Sequence, residues 1–163
     1  MNNGGHINFI HANGFPAGAY NSLFEKLNTN FKIENFHLHP ANNEIETIRK
    51  LRNWTCFSED FLDSLDCKKK IIGMGHSIGG NIVLRSALKR PDYFSKIVLL
   101  DPTLFIPSII RLWKLSAFLK LQGIFHPWLK ASLNRKMVYD NFDEIFSSYR
   151  KKEIFSRIND ENL

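Results

Sequence analysis

The sequence predicts an α/β fold, an open parallel sheet with helices on both faces, followed by a purely helical segment. Three observations carry this. Short apolar runs alternate with helical patterns as far as Pro102. Successive strand-like runs are separated by helix-length stretches, and a β-α-β-α-β order forces parallel pairing through helical crossovers. Beyond Pro102 the pattern supplies helices and no further convincing strand.

The first strand is expected over residues 7–11 of "HINFIHANG", stopped by Asn13 and Gly14. A helix follows over residues 19–27, with Tyr20, Leu23, Phe24 and Leu27 on one face. "FKIENFHL" alternates as a second strand and ends before Pro40, while "IETIRKLRNW" and "SEDFLDSL" read as helices, the latter with Ser58 as N-cap. "KIIGMG" and "KIVLLDP" are the remaining strands, and the helix over residues 81–89 between them is closed by Pro91. The segments "FIPSIIRLWKLSAFLKLQGIF", "HPWLKASLNRKMVYD" and "NFDEIFSSYRKKEIF" are helical in period and broken at Pro107, Gly123 and Pro127. We therefore divide the chain into a sheet-bearing core, residues 1–106, and a helical segment, residues 107–163.

Composition narrows the function. A chain of 163 residues with 44% hydrophobic content suits one domain with a real core. The net charge of +6 is spread along the chain, and no basic run alternates with stacking aromatics, so nucleic-acid binding is not expected. "MNNGG" has no basic n-region, and no apolar run approaches the ~20 residues of a membrane span. Cys56 and Cys67 fit neither a metal knuckle nor a disulfide framework, which makes a reduced, cytoplasmic setting the expectation. His37 and His39 share one strand face at a spacing that can bind zinc, but no third ligand accompanies them, and neither a metal nor a cofactor is expected.

The stretch with the most chemistry is Gly75-His76-Ser77-Ile78-Gly79, a G-x-S-x-G pattern after an expected strand and before an expected helix. A serine at such a turn adopts a strained backbone, so its flanking positions must be small. The turn holds the Ser77 hydroxyl clear of the sheet and puts the Ile78 amide at a helix N-terminus, where an oxyanion is stabilised. The alternative is an ordinary N-cap serine in a glycine-rich turn.

A second segment, "HANGFPAGAY", ends the first strand and opens the first helix. With these two motifs the chain resembles the α/β-hydrolase superfamily, in particular small cofactor-free serine hydrolases with a helical cap. The resemblance extends through "NWTCFSEDFLDSL" and "RPDYFSKIVLLDPTLF" to a cap-like tail, "RKMVYDNFDEIFSSYRKKEIFSRI". It implies that Ser77 is the nucleophile and that the Phe15 and Ile78 amides form the oxyanion hole. Asn13 stands where the family's turn usually has histidine, a change expected to alter loop packing more than chemistry.

In that superfamily the triad runs Ser, then Asp or Glu, then His. Asp101, at the end of the strand after the nucleophile helix, is the candidate acid; the alternative is a structural aspartate before Pro102. His126, the only histidine after Ser77, precedes a proline between cap-like helices and is expected to be a polar cap residue. His76 is expected to pack away from the pocket. The resemblance implies two further βα units and a catalytic histidine after the helical tail, so the chain is expected to be an incomplete α/β-hydrolase, truncated at its C-terminus.

Trp113, Phe118, Phe125, Trp128, Phe142 and Phe146 are expected chiefly as cap core, and as a set they point to an apolar small-molecule substrate. Two function classes follow. One is a serine hydrolase acting on an ester, thioester or carbon–carbon bond. The other is a non-catalytic fragment or binding module with a hydrolase-like pocket, whose basic cap helices contact a lipid surface or a partner.

Overall fold

A computed structural model of the chain describes residues 5–38, 55–66, 68–119, 136 and 138–162. Strands β1 (His6–Ile10), β2 (Lys32–Phe36), β3 (Ile71–His76) and β4 (Phe94–Leu100) form one sheet in the order β2-β1-β3-β4. All three pairings are parallel. Helix α1 (Asn21–Leu27), preceded by a 3-10 turn at Ala17–Tyr20, lies between β1 and β2 in sequence. Helix α2 (Thr55–Asp63) precedes β3, and α3 (Ile78–Lys89) joins β3 to β4.

Both faces of the sheet are covered, which explains why β1 reads as a nearly continuous apolar run rather than a clean alternation. Ile7 and Phe9 point to the α1 side, where they pack with Phe24 and Met74. Ile10 points the other way, into a cluster with Phe57 and Phe61 of α2 and with Ile82 and Val83 of α3. Phe9 and Phe61 are both fully buried. Each buried phenyl ring contributes about 1.5–3 kcal/mol of hydrophobic stabilisation. The Phe9–Phe24 and Phe36–Phe61 rings meet edge to face, with centroids 5.0 and 5.2 Å apart.

The expected α/β class is what the chain forms, an open parallel sheet with helices on both faces. Three details differ. Helix α2 already includes Thr55, so Ser58 does not cap it; Ser58 is buried and its Oγ donates to the Thr55 carbonyl at 2.7 Å. The physical reason is Phe57, which lies four residues before Phe61 and reaches the same core only if the helix already includes it. Helix α3 begins at Ile78 rather than at residue 81, because the glycines let the backbone turn directly from strand into helix. A bulge at the start of β4 pairs Ile71 with Phe94 and Ile72 with Lys96. Ser95, skipped by that register, donates from Oγ to the Ile71 carbonyl at 2.9 Å. The expected helix over residues 45–54 and the breaks at Gly123 and Pro127 lie outside the described residues.

The chain divides into two compact units, Met1–Leu104 and Phe105–Leu163. The first holds the sheet. In the second, α4 (Pro107–Phe118) starts with Pro107 in its first turn, where a missing N–H costs nothing. Helix α5 (Phe142–Arg150) is capped by Asn141, whose Oδ1 accepts from the Glu144 amide at 2.9 Å. The Arg150 guanidinium then gathers the chain that follows, donating to the carbonyls of Phe155 (3.0 Å) and Ile158 (2.6 Å) and pairing with Asp160.

The topology singles out one place on the sheet. From β1 the chain passes to β2 on one side and then to β3 and β4 on the other. The order therefore reverses between β1 and β3. In open α/β sheets that point, at the carboxyl ends of the strands, is where ligands bind.

Candidate active site

Ser77 sits at that edge, between the last residue of β3 and the first of α3. Its backbone lies at φ 53° and ψ −116°. A non-glycine residue in such a region costs about 1–3 kcal/mol and persists only where its surroundings over-determine it. Here three hydrogen bonds do so. The Ser77 N–H donates to the Leu100 carbonyl at 2.9 Å, and the Ser77 carbonyl accepts from the amides of Asn81 (3.2 Å) and Thr103 (3.1 Å).

The small neighbours of Ser77 have a measurable cause. A Cβ on Gly75 would lie 2.4 Å from the carbonyl carbon and oxygen of Gly79, and a Cβ on Gly79 would lie 2.2 Å from the Ile10 carbonyl oxygen. Both partners are backbone and cannot rotate away. The first turn of α3 is thus seated directly on the end of β1, and only glycine fits between them.

That seating brings the turn after β1 beside Ser77. The Ile78 amide is the first of α3, with no intrahelical partner to bond. The Phe15 amide closes a turn, donating to the Ala12 carbonyl at 3.2 Å. Gly14 in that turn has φ 76°. The turn is anchored to the elbow through Tyr20, whose half-buried hydroxyl accepts from the Ala12 amide at 3.2 Å and shares a 2.8 Å hydrogen bond with His76 Nδ1. Burial pushes the Tyr20 hydroxyl pKa up, an effect partly offset by the Ala12 amide.

Three of the four described imidazoles, those of His6, His11 and His76, have polar partners other than Ser77. His76 faces Tyr20, as its hydrogen bond and a 5.8 Å edge-on ring contact record. His11 is buried, with Nε2 accepting from the Leu38 amide at 3.2 Å; Nδ1 therefore carries the proton and donates to the Ala12 carbonyl at 2.9 Å. His6 lies 3.1 Å from Glu34 on the other strand edge. His126 lies outside the described residues, as does His39, so the His37-x-His39 pair is described only at exposed His37. Among the described residues no group of three metal-ligating side chains occurs.

Asp101 follows β4 directly, exposed, with φ 41°. It is one residue past Leu100, whose carbonyl holds the Ser77 amide. The left-handed turn at Asp101, followed by Pro102, brings Thr103 back over the elbow. There Thr103 Oγ1 lies 3.0 Å from Ser77 Oγ, and the Thr103 carbonyl accepts from Asn81 Nδ2 at 3.0 Å.

Sequence reasoning missed Thr103, because a hydroxyl 26 residues from its partner leaves no local pattern. It also missed the polar role of Tyr20, which the helical period places on an apolar face. Of the aromatic set, Trp113, Phe118 and Phe142 are exposed, the Phe142 and Phe146 rings are 6.4 Å apart, and Phe125 and Trp128 lie outside the described residues. Among the described residues no helix is long and apolar enough to cross a membrane.

Residues 51–158 match the sequence profile of a family described as serine aminopeptidase, S33. Among solved structures, the chain is similar to monoacylglycerol lipase from Paleococcus ferrophilus, at 24% identity and a TM-score of 0.45. That match covers 75% of this chain and 48% of the lipase chain, so the present sequence spans about half the length of the lipase. No curated protein matches.

Proposed function

The chain belongs to the serine aminopeptidase (S33) family, within the α/β-hydrolases, and from this premise we propose that it carries the nucleophile and oxyanion machinery of an ester-type hydrolase. In this reading Ser77 Oγ attacks the carbonyl of a small apolar ester, thioester or related substrate. The resulting oxyanion is held by the Ile78 and Phe15 amides, and no cofactor takes part. The single observation that carries the reading is the Ser77 backbone at φ 53° and ψ −116°, pinned by three hydrogen bonds at the strand–helix junction. Strain that is over-determined at the topological switch point is what a nucleophile elbow requires. The Phe15 amide reaches an oxyanion once it releases or shares its 3.2 Å turn bond.

The second reading is a non-catalytic binding module. It is favoured by the hydroxyl of Ser77, whose partner is Thr103 and which no described imidazole bonds. The exposed Ile109, Ile110, Leu112 and Trp113 of α4, with Arg111 among them and Lys114 next to them, would then provide contact to a lipid surface. Added imidazole separates the two readings. If Ser77 is a nucleophile short of a base, a fluorophosphonate probe forms an adduct that peptide mapping places on Ser77, slowly in buffer and at least about tenfold faster with free imidazole present, because general-base assistance contributes about 10²–10⁴. Absence of an adduct on Ser77 under both conditions supports the binding module.

Asp101→Asn tests the acid. Asparagine tolerates the left-handed φ of 41° that Asp101 adopts, so the turn survives and only the charge is lost. We expect hydrolysis of an aryl ester to fall less than about tenfold, which makes Asp101 the turn residue that delivers Thr103. A fall of about 10⁴ would instead make its carboxylate the group that orients the base.

A further inference from the structure

We propose that Thr103 is a positioning residue for the Ser77 hydroxyl, holding Oγ in one rotamer and serving it as a reversible hydrogen-bond partner. The proposal rests on the reading of Ser77 as nucleophile and adds to it a second hydroxyl from a different loop. Three contacts tie Thr103 to the elbow: its Oγ1 to Ser77 Oγ at 3.0 Å, its amide to the Ser77 carbonyl at 3.1 Å, and its carbonyl to Asn81 Nδ2 at 3.0 Å. Both backbone polar groups of Thr103 are thus consumed in registering it against Ser77 and α3. That is more than a surface loop needs to satisfy itself, and it leaves the side chain little positional freedom.

The residue type matters as well. A β-branched side chain has a restricted χ1, so the direction of the Thr103 hydroxyl follows from its backbone. Serine, by contrast, populates several rotamers unless a partner selects one. A hydroxyl is also both donor and acceptor. In the resting site the two hydroxyls share one 3.0 Å hydrogen bond, in which either can donate. When a base takes the Ser77 proton and Oγ bonds to the acyl carbon, the Thr103 hydroxyl rotates and donates its own proton to Oγ. Thr103 keeps that proton throughout, so no group beyond the base takes part in the transfer. The gain is orientation: an oxygen already aimed does not have to be ordered on the way to the transition state.

The test reads the rotamer directly. Hα–Hβ three-bond couplings of Ser77 are measured by NMR in the 163-residue chain and in Thr103→Val, Thr103→Ala and Thr103→Ser. We expect the pattern of a single rotamer in the wild type and in Thr103→Ser, and averaged couplings in Thr103→Val and Thr103→Ala. Phosphonylation of Ser77 should slow about tenfold in the two variants without a hydroxyl and recover to within about twofold in Thr103→Ser, the scale of one lost hydrogen bond. Averaged couplings in the wild type overturn the proposal, as does a single rotamer retained in either variant that lacks the hydroxyl. Alanine cannot crowd the site, so it decides the matter if the valine variant fails to fold. A wild-type chain that is not phosphonylated at Ser77 would refute the nucleophile, while the couplings would still decide whether Thr103 sets its rotamer.

Discussion

If Ser77 is the nucleophile we propose, Ser77→Ala is expected to eliminate any burst of p-nitrophenol from p-nitrophenyl acetate. A serine that attacks the ester expels the phenol as it becomes acylated, so up to one equivalent appears before water must regenerate the hydroxyl. Alanine at position 77 leaves both amides in place but removes the hydroxyl proposed to form the acyl bond. Loss of a nucleophile from an intact triad costs about 10⁶ in turnover, and what remains comes from the oxyanion hole and binding. Rapid-mixing absorbance on matched concentrations of the two proteins checks this, with circular dichroism to establish that the variant is folded. A burst of equal size in Ser77→Ala would place the reactive group elsewhere in the chain.

Gly79→Ala should be among the most destabilising single-methyl additions possible in this chain. Inside a helix, alanine is favoured over glycine by about 1 kcal/mol, so propensity alone predicts a more stable protein. The geometry predicts the reverse. The new Cβ would stand 2.2 Å from the Ile10 carbonyl oxygen and 2.8 Å from that of His11. Relief requires lifting α3 from β1, which opens the cluster containing Ile10, Ile82 and Val83. Overpacking typically costs about 1–3 kcal/mol where side chains can yield, and backbone against backbone should exceed the upper end. Gly80→Ala is the control. Its Cβ would meet the Gly75 carbonyl and Pro102 at 3.1 Å, a contact that shifts of a few tenths of an ångström relieve. Urea unfolding should show a large drop in midpoint for Gly79→Ala and a modest one for Gly80→Ala. Equal midpoints would mean that the close seating of the helix is not what the glycine serves.

Much of this was legible in the sequence because it is local. The strand β3 and the turn after it announce themselves through "IIGMGHSIGG", where an apolar run, a serine and paired glycines stand within ten positions. The parallel sheet followed from the alternation of strand and helix patterns, since periodicity is a property of neighbouring residues. What could not be read depends on contacts between distant positions. Tyr20 has the spacing of a core residue and is one on its ring face, packed 4.7 Å from Phe9, yet its hydroxyl serves His76, 56 positions away. Thr103 belongs to a loop whose path is set by the left-handed turn at Asp101, and no sequence pattern marks an aspartate for that conformation. Ser58 misled for a related reason. Serine before an acidic pair reads as a helix start, whereas Ser58 lies inside a helix that already includes the buried Phe57.

The hydroxyl of Tyr20 also sets a mechanical condition on the edge of the sheet. It bonds the turn after β1 through Ala12 and the end of β3 through His76, while its ring is gripped by Phe9 and Phe24. The two segments that carry the Phe15 and Ile78 amides are therefore braced by one rigid crosspiece, as two posts are by a lintel, and they tilt together or not at all. Thermal motion that would change the spacing of the two amides must first break one of these bonds. In the proposed hydrolase, the spacing of the two oxyanion amides would then be set by Tyr20, in the 3-10 turn before the first helix and outside the gap itself.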